Sequence, residues 1–530
     1  LKRISPVLLS IVSGLLLVFA WPVSSFTALI FVGLVPILFL LDQETNKIRF
    51  FLFTLLATTI WNAGTTWWIW NSTAPGALLA IVLNSLIMTL PLWGSFIFKE
   101  KYGPRVGYVS FVAFWLTFEY IHLNWQLSWP WLTLGNAFAI KTQWIQWYEF
   151  TGVSGGSLWV LLSNLAIFLL IKNWATRAKF VLSAIVVAIL LIPIAISNAV
   201  IPKINNQSTA TANAPNVIIV QPNIDPYSEK FDVTSTTGQI QKLLNLSEKN
   251  IDTNTRLILW PETALPVGEW QDKVRENVYY GPVFDFANRH PNVTLQTGIE
   301  VFKNYGKEKA TNTARINTTD GSYYDVFNAA TVIKAGQPLQ FYNKSKLVPG
   351  VETIPDFLLW MGAIFEQFGG TAGGYGHDKE AAVFKVTDNP YITAPIICYE
   401  SIYGEYVTNY VRKGANLLTI MTNDGWWANT AGHRQHLNYA RLRAIETRKW
   451  IARSANTGVS AVINSNGDIL ETRPWDQAAA IKYAIPTSSG ETFFVRNGAT
   501  IFLFALFLTF ALFCFHFTMI LRKRFITKSN

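Results

Sequence analysis

Residues 392–400 read I-T-A-P-I-I-C-Y-E, an apolar run that stops at a cysteine and turns polar at once. A short apolar run bounded by polar residues reads as a buried strand, so Cys398 stands at a strand end. The same form recurs on both sides: N-V-I-I-V-Q-P-N-I at 216–224, L-I-L-W at 257–260 before Pro261, V-T-L-Q-T-G-I at 293–299, A-A-T-V-I at 329–333 and N-L-L-T-I-M-T at 416–422. Between and after them, 236–250 and 433–450 read as helices, and a polar linker, N-N-Q-S-T-A-T-A-N-A-P at 205–215, precedes the first strand. Strands that are apolar on both faces need cover on both faces, which predicts helices packed on sheets.

Two further strand ends carry chemistry: Glu262 in L-I-L-W-P-E-T-A and Lys344 in F-Y-N-K-S-K-L-V-P. A thiol with an ordinary pKa near 8.5 is only a few per cent ionised at neutral pH, so a nucleophilic cysteine benefits from a nearby base and a nearby cation. Glutamate can take the proton, and lysine can stabilise a thiolate or an oxyanion. Taken singly, each residue has a plainer role open to it: a core cysteine, a helix-capping glutamate, an exposed loop lysine. The spacing alone does not show that they converge. His377, His433 and His436 are scattered without the companion ligands of a zinc site, so no metal is expected.

The flanks of this region have a different composition. About eight stretches have the length and apolarity of membrane spans, at 5–22, 25–41, 50–70, 77–98, 106–122, 157–172, 179–200 and 498–521. A cleaved signal peptide is the alternative for the first, but no small-residue cleavage site precedes the further spans. Basic residues fill every second connection: Lys2 and Arg3, Lys47 and Arg49, Lys99, Lys101 and Arg105, Lys172, Arg177 and Lys179, then Arg522, Lys523, Arg524 and Lys528, with only Lys141 in the others. Basic connections stay cytoplasmic, so both termini are expected inside and the segment after the seventh span outside. The net charge of +10 lies largely in these connections, which removes the reason to expect nucleic acid. The expected organisation is a membrane domain of about seven helices over 1–204, an extracytoplasmic domain over 205–490, and a last span with a basic tail over 491–530. Cys514 falls in that last span and Cys398 in the outer domain, so no disulfide within the outer domain is possible.

W-P-E, then Y-N-K-S-K-L-V-P followed by Glu352, then C-Y-E, then N-D-G-W-W, in that order, resembles the nitrilase superfamily. The resemblance implies a four-layer αββα sandwich with Glu262 as base, Lys344 as the triad lysine in preference to Lys346, and Cys398 as nucleophile. Joined to seven preceding spans and one following, the whole chain is similar to the apolipoprotein N-acyltransferase family. That family implies a bacterial inner-membrane enzyme, a phospholipid acyl donor, a diacylglyceryl apolipoprotein as acceptor, a thioester intermediate, and neither metal nor cofactor. It also implies supporting places for Glu352, Asn328, Tyr399 and Glu400, with a backbone N–H near Tyr399 at the oxyanion. An anchored amidase would use the same triad but has no need of eight spans; a transporter or scaffold would not need the triad intact.

Trp67, Trp68 and Trp70, with Trp125, Trp129 and Trp131, read as aromatic belts at the membrane interfaces, although W-P-W-L-T-L-G at 129–135 resembles an outer-leaflet loop of the family that gives lipid access. Glu119 and His122 close the fifth span, where a functional role and simple hydration are both open.

Overall fold

The computed structural model describes residues 4–201, 214–361 and 374–528. Lys2, Arg3, most of the linker at 205–215 and the side chains of Lys523, Arg524 and Lys528 lie outside the described residues. The chain forms two compact units, one of Leu1–Trp67, Ala77–Asn198 and Asn497–Asn530, the other of Trp68–Gly76 and Ala199–Arg496.

The first unit is helical: α1 (Pro6–Ala20), α2 (Val35–Gln43), α3 (Lys47–Thr66), α4 (Ala74–Tyr102), α5 (Pro104–Leu123), α6 (Val153–Lys172), α7 (Ala178–Val200) and the last helix, Thr500–Lys528. Among the described residues five of these, α4 to α7 and Thr500–Arg522, are long and apolar enough to cross a membrane. The stretch expected as one span at 25–41 is instead a 3-10 turn, Thr27–Phe31, followed by α2, whose first turn holds Pro36. A proline there cannot continue a helix arriving from Phe31, because its ring and missing N–H break the ladder. The freed backbone groups are met by side chains: Asn164 on α6 accepts from Leu34 N at 2.8 Å and donates to Ile30 O at 2.9 Å, and Ser13 Oγ donates to Gly33 O at 2.5 Å. The third expected span, 50–70, begins earlier and ends at Thr66, where a 3-10 turn over Trp67–Asn71 takes over.

Glu119 and His122 are both buried, against the hydration reading. Glu119 Oε1 accepts from Trp115 Nε1 at 2.9 Å and Leu134 N at 2.8 Å, so it fastens α5 to the turn Leu134–Phe138. Trp131 is also buried, stacked on the half-buried Trp129 with centroids 5.5 Å apart, so Trp131 packs inside the helical unit and not in a belt.

The second unit is α/β. One sheet runs in the order β14 (Ala479–Ala484), β1 (Asn216–Gln221), β2 (Thr255–Leu259), β4 (Thr294–Gly306), β6 (Tyr323–Ile333), β5 (Arg315–Ile316), with β3 (Leu265–Trp270) on β4 and β7 (Gln340–Asn343) on β6. The other runs β13 (Ile469–Thr472), β12 (Ala461–Ile463), β11 (Ile451–Ala455), β10 (Leu417–Thr422), β9 (Ile392–Ile397), β8 (Phe384–Lys385). The β1–β2–β4 and β9–β10–β11 runs are parallel, and β1, β9, β10, β11 and the first half of β4 are buried almost throughout. The sheets meet face to face: Gln296 Nε2 donates to Thr419 Oγ1 at 2.7 Å and Ser454 Oγ to Val220 O at 2.6 Å.

Helices α8 (Thr236–Glu248) and α9 (Gly281–Arg289) cover the first sheet. Ile240, Leu243 and Leu244 of α8 recur at helical spacing and join Val283 and Phe286 of α9, Ile218, Ile258 and Leu295 in one core. On the second sheet, α10 (Gly404–Arg412) and α11 (Ala431–Thr447) follow the turn at Cys398 and the N-D-G-W-W segment. Trp68, expected in a belt, is instead 1% exposed within this unit: Nε1 donates to Gln435 Oε1 at 3.1 Å and the ring lies 4.8 Å from that of Trp427. An indole buries a large apolar area while its N–H finds an acceptor, which a protein interior supplies as well as a headgroup layer does.

Candidate active site

Three strand ends deliver the side chains. Trp260, wholly buried in the core, donates from Nε1 to Ser247 Oγ of α8 at 2.9 Å, and its backbone N bonds Gln296 O at 2.9 Å, so the chain leaves β2 in a fixed direction toward Glu262. The turn is tight: Thr263 has φ of 45°, and a Cβ on Gly298 would lie 2.4 Å from Thr263 N and 2.7 Å from Glu262 Cα. Only glycine on β4 permits that approach.

Lys344 follows β7, and its N–H donates to Asn328 O at 2.9 Å. Asn328 is thus its cross-strand neighbour, and Asn328 Nδ2 reaches Glu262 Oε1 at 2.8 Å and Glu352 Oε1 at 3.1 Å. Lys344 Nζ lies 3.3 Å from Glu262 Oε1 and 2.7 Å from Glu352 Oε1. Glu352 Oε2 accepts from Val348 N at 2.8 Å, which closes the loop after Lys344 upon itself. One ammonium and one amide therefore hold two carboxylates together, and all four side chains are buried.

Cys398 ends β9 in the left-handed region, with φ of 49°, and keeps partial exposure. A non-glycine residue there stores about 1–3 kcal/mol of strain that its surroundings must hold. They do so on both sides. Ser401 Oγ donates to Cys398 O at 2.8 Å, and His436 Nε2 lies 3.2 Å from the same carbonyl and 2.9 Å from Ser401 Oγ. His436 is anchored in turn by Asp424, Nδ1 to Oδ1 2.9 Å, and Asp424 by Arg453 at 2.6 Å, all fully buried. Before the turn, Glu400 Oε2 accepts from Ile397 N at 2.8 Å. Its other oxygen accepts from Ser345 N at 2.7 Å and Lys346 N at 3.3 Å, so a single carboxylate joins the Cys398 turn to the Lys344 loop.

The electrostatics set the resting protons. Burial pushes the Cys398 thiol well up, Glu262 adds to the rise, and Lys344 opposes it. Burial also pushes Glu262 up, but Lys344, Asn328 and Lys230 outweigh it and hold the carboxyl below its ordinary value. Burial draws Lys344 down, yet Glu352 and Glu262 raise it well above an ordinary lysine. The ground state is a protonated thiol facing an ionised carboxylate beside an ammonium, an arrangement suited to general-base activation of sulfur.

Of the residues expected from sequence, Glu262, Lys344, Glu352 and Asn328 form one hydrogen-bonded cluster. Cys398 joins them electrostatically, and Glu400 sits behind both loops. Tyr399 packs edge-on against Tyr403, with centroids 5.3 Å apart. Two contributors escaped the sequence reading. His436 was weighed only as a metal ligand, and its place becomes visible only when α11 packs on the Cys398 turn. Lys230, in the polar segment E-K-F-D, has the composition of a solvated loop and yet is 2% exposed, with Nζ 2.8 Å from Glu262 O. Among the described residues no group of three or more His, Cys, Asp or Glu is arranged to hold a metal ion.

Residues 216–492, which hold both stacked sheets, match the family model described as carbon-nitrogen hydrolase, and this sets the class of the α/β unit. Residues 13–166 match the model for the apolipoprotein N-acyltransferase N-terminal domain. The chain belongs to the apolipoprotein N-acyltransferase family. It is 31% identical over 93% of its length to a protein of that name from Chlorobaculum tepidum, covering 93% of the relative, and 25% identical to one from Geobacter metallireducens, covering 93% of this chain and 91% of that one. Among solved structures, XC1258 from Xanthomonas campestris, a CN-hydrolase superfamily protein, is 17% identical with a TM-score of 0.36, over 51% of this chain and 90% of that one. The relatives' names and the carbon–nitrogen hydrolase unit together support lipoprotein N-acylation, carried out by a membrane protein.

Proposed function

We propose that this chain transfers a fatty acyl group from a phospholipid to the α-amine of the diacylglyceryl-cysteine that begins an apolipoprotein, through a thioester on Cys398. Glu262 takes the thiol proton as sulfur attacks the acyl ester, Lys344 and a backbone N–H near Tyr399 stabilise the oxyanion, and a lysophospholipid leaves with a proton returned by Glu262. The α-amine then attacks the thioester, and Glu262 handles that proton before Cys398 regains its own. The observation that carries the reading is the shared hydrogen-bond cluster of Glu262, Lys344, Asn328 and Glu352 beside a strained, partly exposed cysteine. Incubation with phospholipid labelled in its acyl chain tests it: acyl label on the protein that neutral hydroxylamine releases, with stoichiometric lysolipid, is the expected result, and ammonia release from simple amides without such label would replace it with an amidase.

Both substrates would be lipids of the outer leaflet, which fits residues 205–490 lying on the periplasmic side of a bacterial inner membrane. The support is the alternation of basic connections. A reporter fused after Asn530 is therefore expected to be active only in its cytoplasmic form; periplasmic activity would overturn this orientation.

The two lysines of Y-N-K-S-K separate cleanly. Lys344 is the buried partner of both carboxylates, whereas Lys346 lies over the rings of Tyr403 and Tyr406, 5.4 Å from each centroid. Lys344→Ala leaves two buried carboxylates without their shared cation and is expected to lower acyl-enzyme formation by about a hundredfold or more. Lys346→Ala loses a cation–π contact of roughly 0.5–1 kcal/mol and is expected to stay within a few-fold of the wild type. Equal losses from two folded variants would remove the assignment of Lys344.

A further inference from the structure

The Lys230 ammonium has one hydrogen-bond partner among the described residues, the carbonyl oxygen of Glu262 at 2.8 Å. It arrives from the segment between β1 and α8, which is itself pinned. Lys230 N donates to Asp225 O at 2.9 Å, and Gln239 Nε2 of α8 donates to Lys230 O at 3.3 Å and Glu229 O at 2.8 Å. A buried ammonium is costly unless its charge is used, and the acidic side chains of its own segment do not pair with it. Asp225 takes the N–H groups of Tyr227 and Ser228, Asp232 takes Thr234, and Glu229 Oε2 takes Asp225 N. The charged or ionisable groups that interact with Lys230 are Glu262 and Cys398.

The charge count of the site explains why a second cation belongs there. Glu262 and Glu352 present two carboxyl groups to the single ammonium of Lys344, while Asp424 behind Cys398 is already paired with Arg453. With Lys344 alone, two carboxyl groups share one cation beside a sulfur that must pass through a thiolate as its proton moves to Glu262. Lys230 adds a second cation next to Glu262 and Cys398, which favours the thiolate left when the proton has moved. Its hydrogen bond also fixes the carbonyl of the residue just before the strained Thr263, and so the direction from which the Glu262 carboxylate approaches sulfur.

We propose that Lys230 is a positioning residue of the acyl-transfer site, holding the Glu262 backbone and supplying the second positive charge that makes the Cys398 thiolate accessible. This rests on Cys398 and Glu262 acting as nucleophile and base. Burial draws the Lys230 ammonium down to about 8, so the wild type sheds this charge as the medium becomes mildly alkaline.

The test uses the full chain in detergent. Alkylation of Cys398 by iodoacetamide is followed against pH by peptide mass spectrometry, with Cys514 counted separately. Below about pH 8, where Lys230 is charged, Lys230→Met is expected to slow Cys398 alkylation roughly tenfold and Lys230→Arg to keep the wild-type rate, while the wild type and Lys230→Met converge at higher pH. A wild-type alkylation rate at about pH 7 in a Lys230→Met protein that melts like the wild type overturns the proposal. Should Lys230→Met fail to fold, Lys230→Arg decides alone: wild-type acyl-enzyme formation is expected to decline above about pH 8, where Lys230 loses its proton, and the arginine variant to lose that decline. A decline that persists in Lys230→Arg overturns the proposal. The alkylation profile requires no acyl chemistry, so a wild type that never forms a hydroxylamine-sensitive label defeats the acyl-transfer reading separately.

Discussion

Cys398→Ser is expected to fold normally and to lose acyl-enzyme formation by roughly three orders of magnitude or more, the scale on which acyl-transfer enzymes respond to loss of their nucleophile. The left-handed turn is held by backbone contacts from Ser401, His436 and Glu400, none of which uses the sulfur, so the change of one atom on a partly exposed side chain should alter stability by about 1 kcal/mol at most. Chemistry is affected far more. Glu262 sits below its ordinary pKa and the thiol above its own, so the base already works against a gap; an alcohol, a weaker acid still, widens it. Labelled phospholipid, hydroxylamine release and thermal unfolding on the same preparations check both halves. Hydroxylamine-sensitive label persisting on the serine variant would move the nucleophile to Cys514, the other cysteine of the chain.

The largest loss of stability is expected at Glu400. Its carboxylate is wholly buried and accepts from Ile397 N, Ser345 N, Lys346 N, Tyr342 Oη at 2.5 Å and Tyr410 Oη at 3.3 Å. Glu400→Ala strands these donors around a void and should cost about 3–5 kcal/mol, the range for breaking a buried charged network. Glu400→Gln keeps the volume but turns an amide N–H toward a neighbourhood made of donors, and should cost about 1–3 kcal/mol. Because the carboxylate joins the Lys344 loop to the Cys398 turn, the glutamine variant should also form acyl-enzyme more slowly, even under conditions where it is fully folded. Denaturant midpoints and single-turnover labelling measure the two effects. Wild-type values for both in Glu400→Gln would show that the two loops hold their places without it.

The strands were legible in the sequence because the buried runs of a parallel sheet are apolar on both faces. The segments around Ile218, Ile258, Ile396 and Ile420 are of this kind and lie where they were expected. Glu262, Lys344 and Cys398 were legible as strand-end residues in a recognisable order. Lys230 and His436 were not, because their roles arise from contacts across 32 and 38 residues of separation, and nothing in a neighbouring side chain announces them. The span expected at 25–41 shows the converse failure. Hydropathy measures the solvent a segment prefers, while helical continuity there is decided by Pro36 and by Asn164, more than a hundred residues away. Trp68 was misassigned for a related reason: an indole suits an interfacial layer and a protein interior equally, and only its hydrogen bond to Gln435 distinguishes them.

The segment Trp68–Gly76 belongs to the α/β unit although it is flanked in the chain by the helical one. Gly432 has room for the Trp68 ring because it lacks a side chain; a Cβ there would lie 2.6 Å from the indole. Asn71 Nδ2 donates to Trp427 O at 3.0 Å, Ser72 Oγ to Trp426 O at 3.2 Å, and Tyr227 Oη to Asn71 O at 3.0 Å. The α/β unit is therefore not a self-contained cassette. A polypeptide of residues 205–490 alone would lack the piece that fills the space over Gly432 at the start of α11 and bonds the N-D-G-W-W segment, so excision at those bounds would leave that end of the unit uncovered.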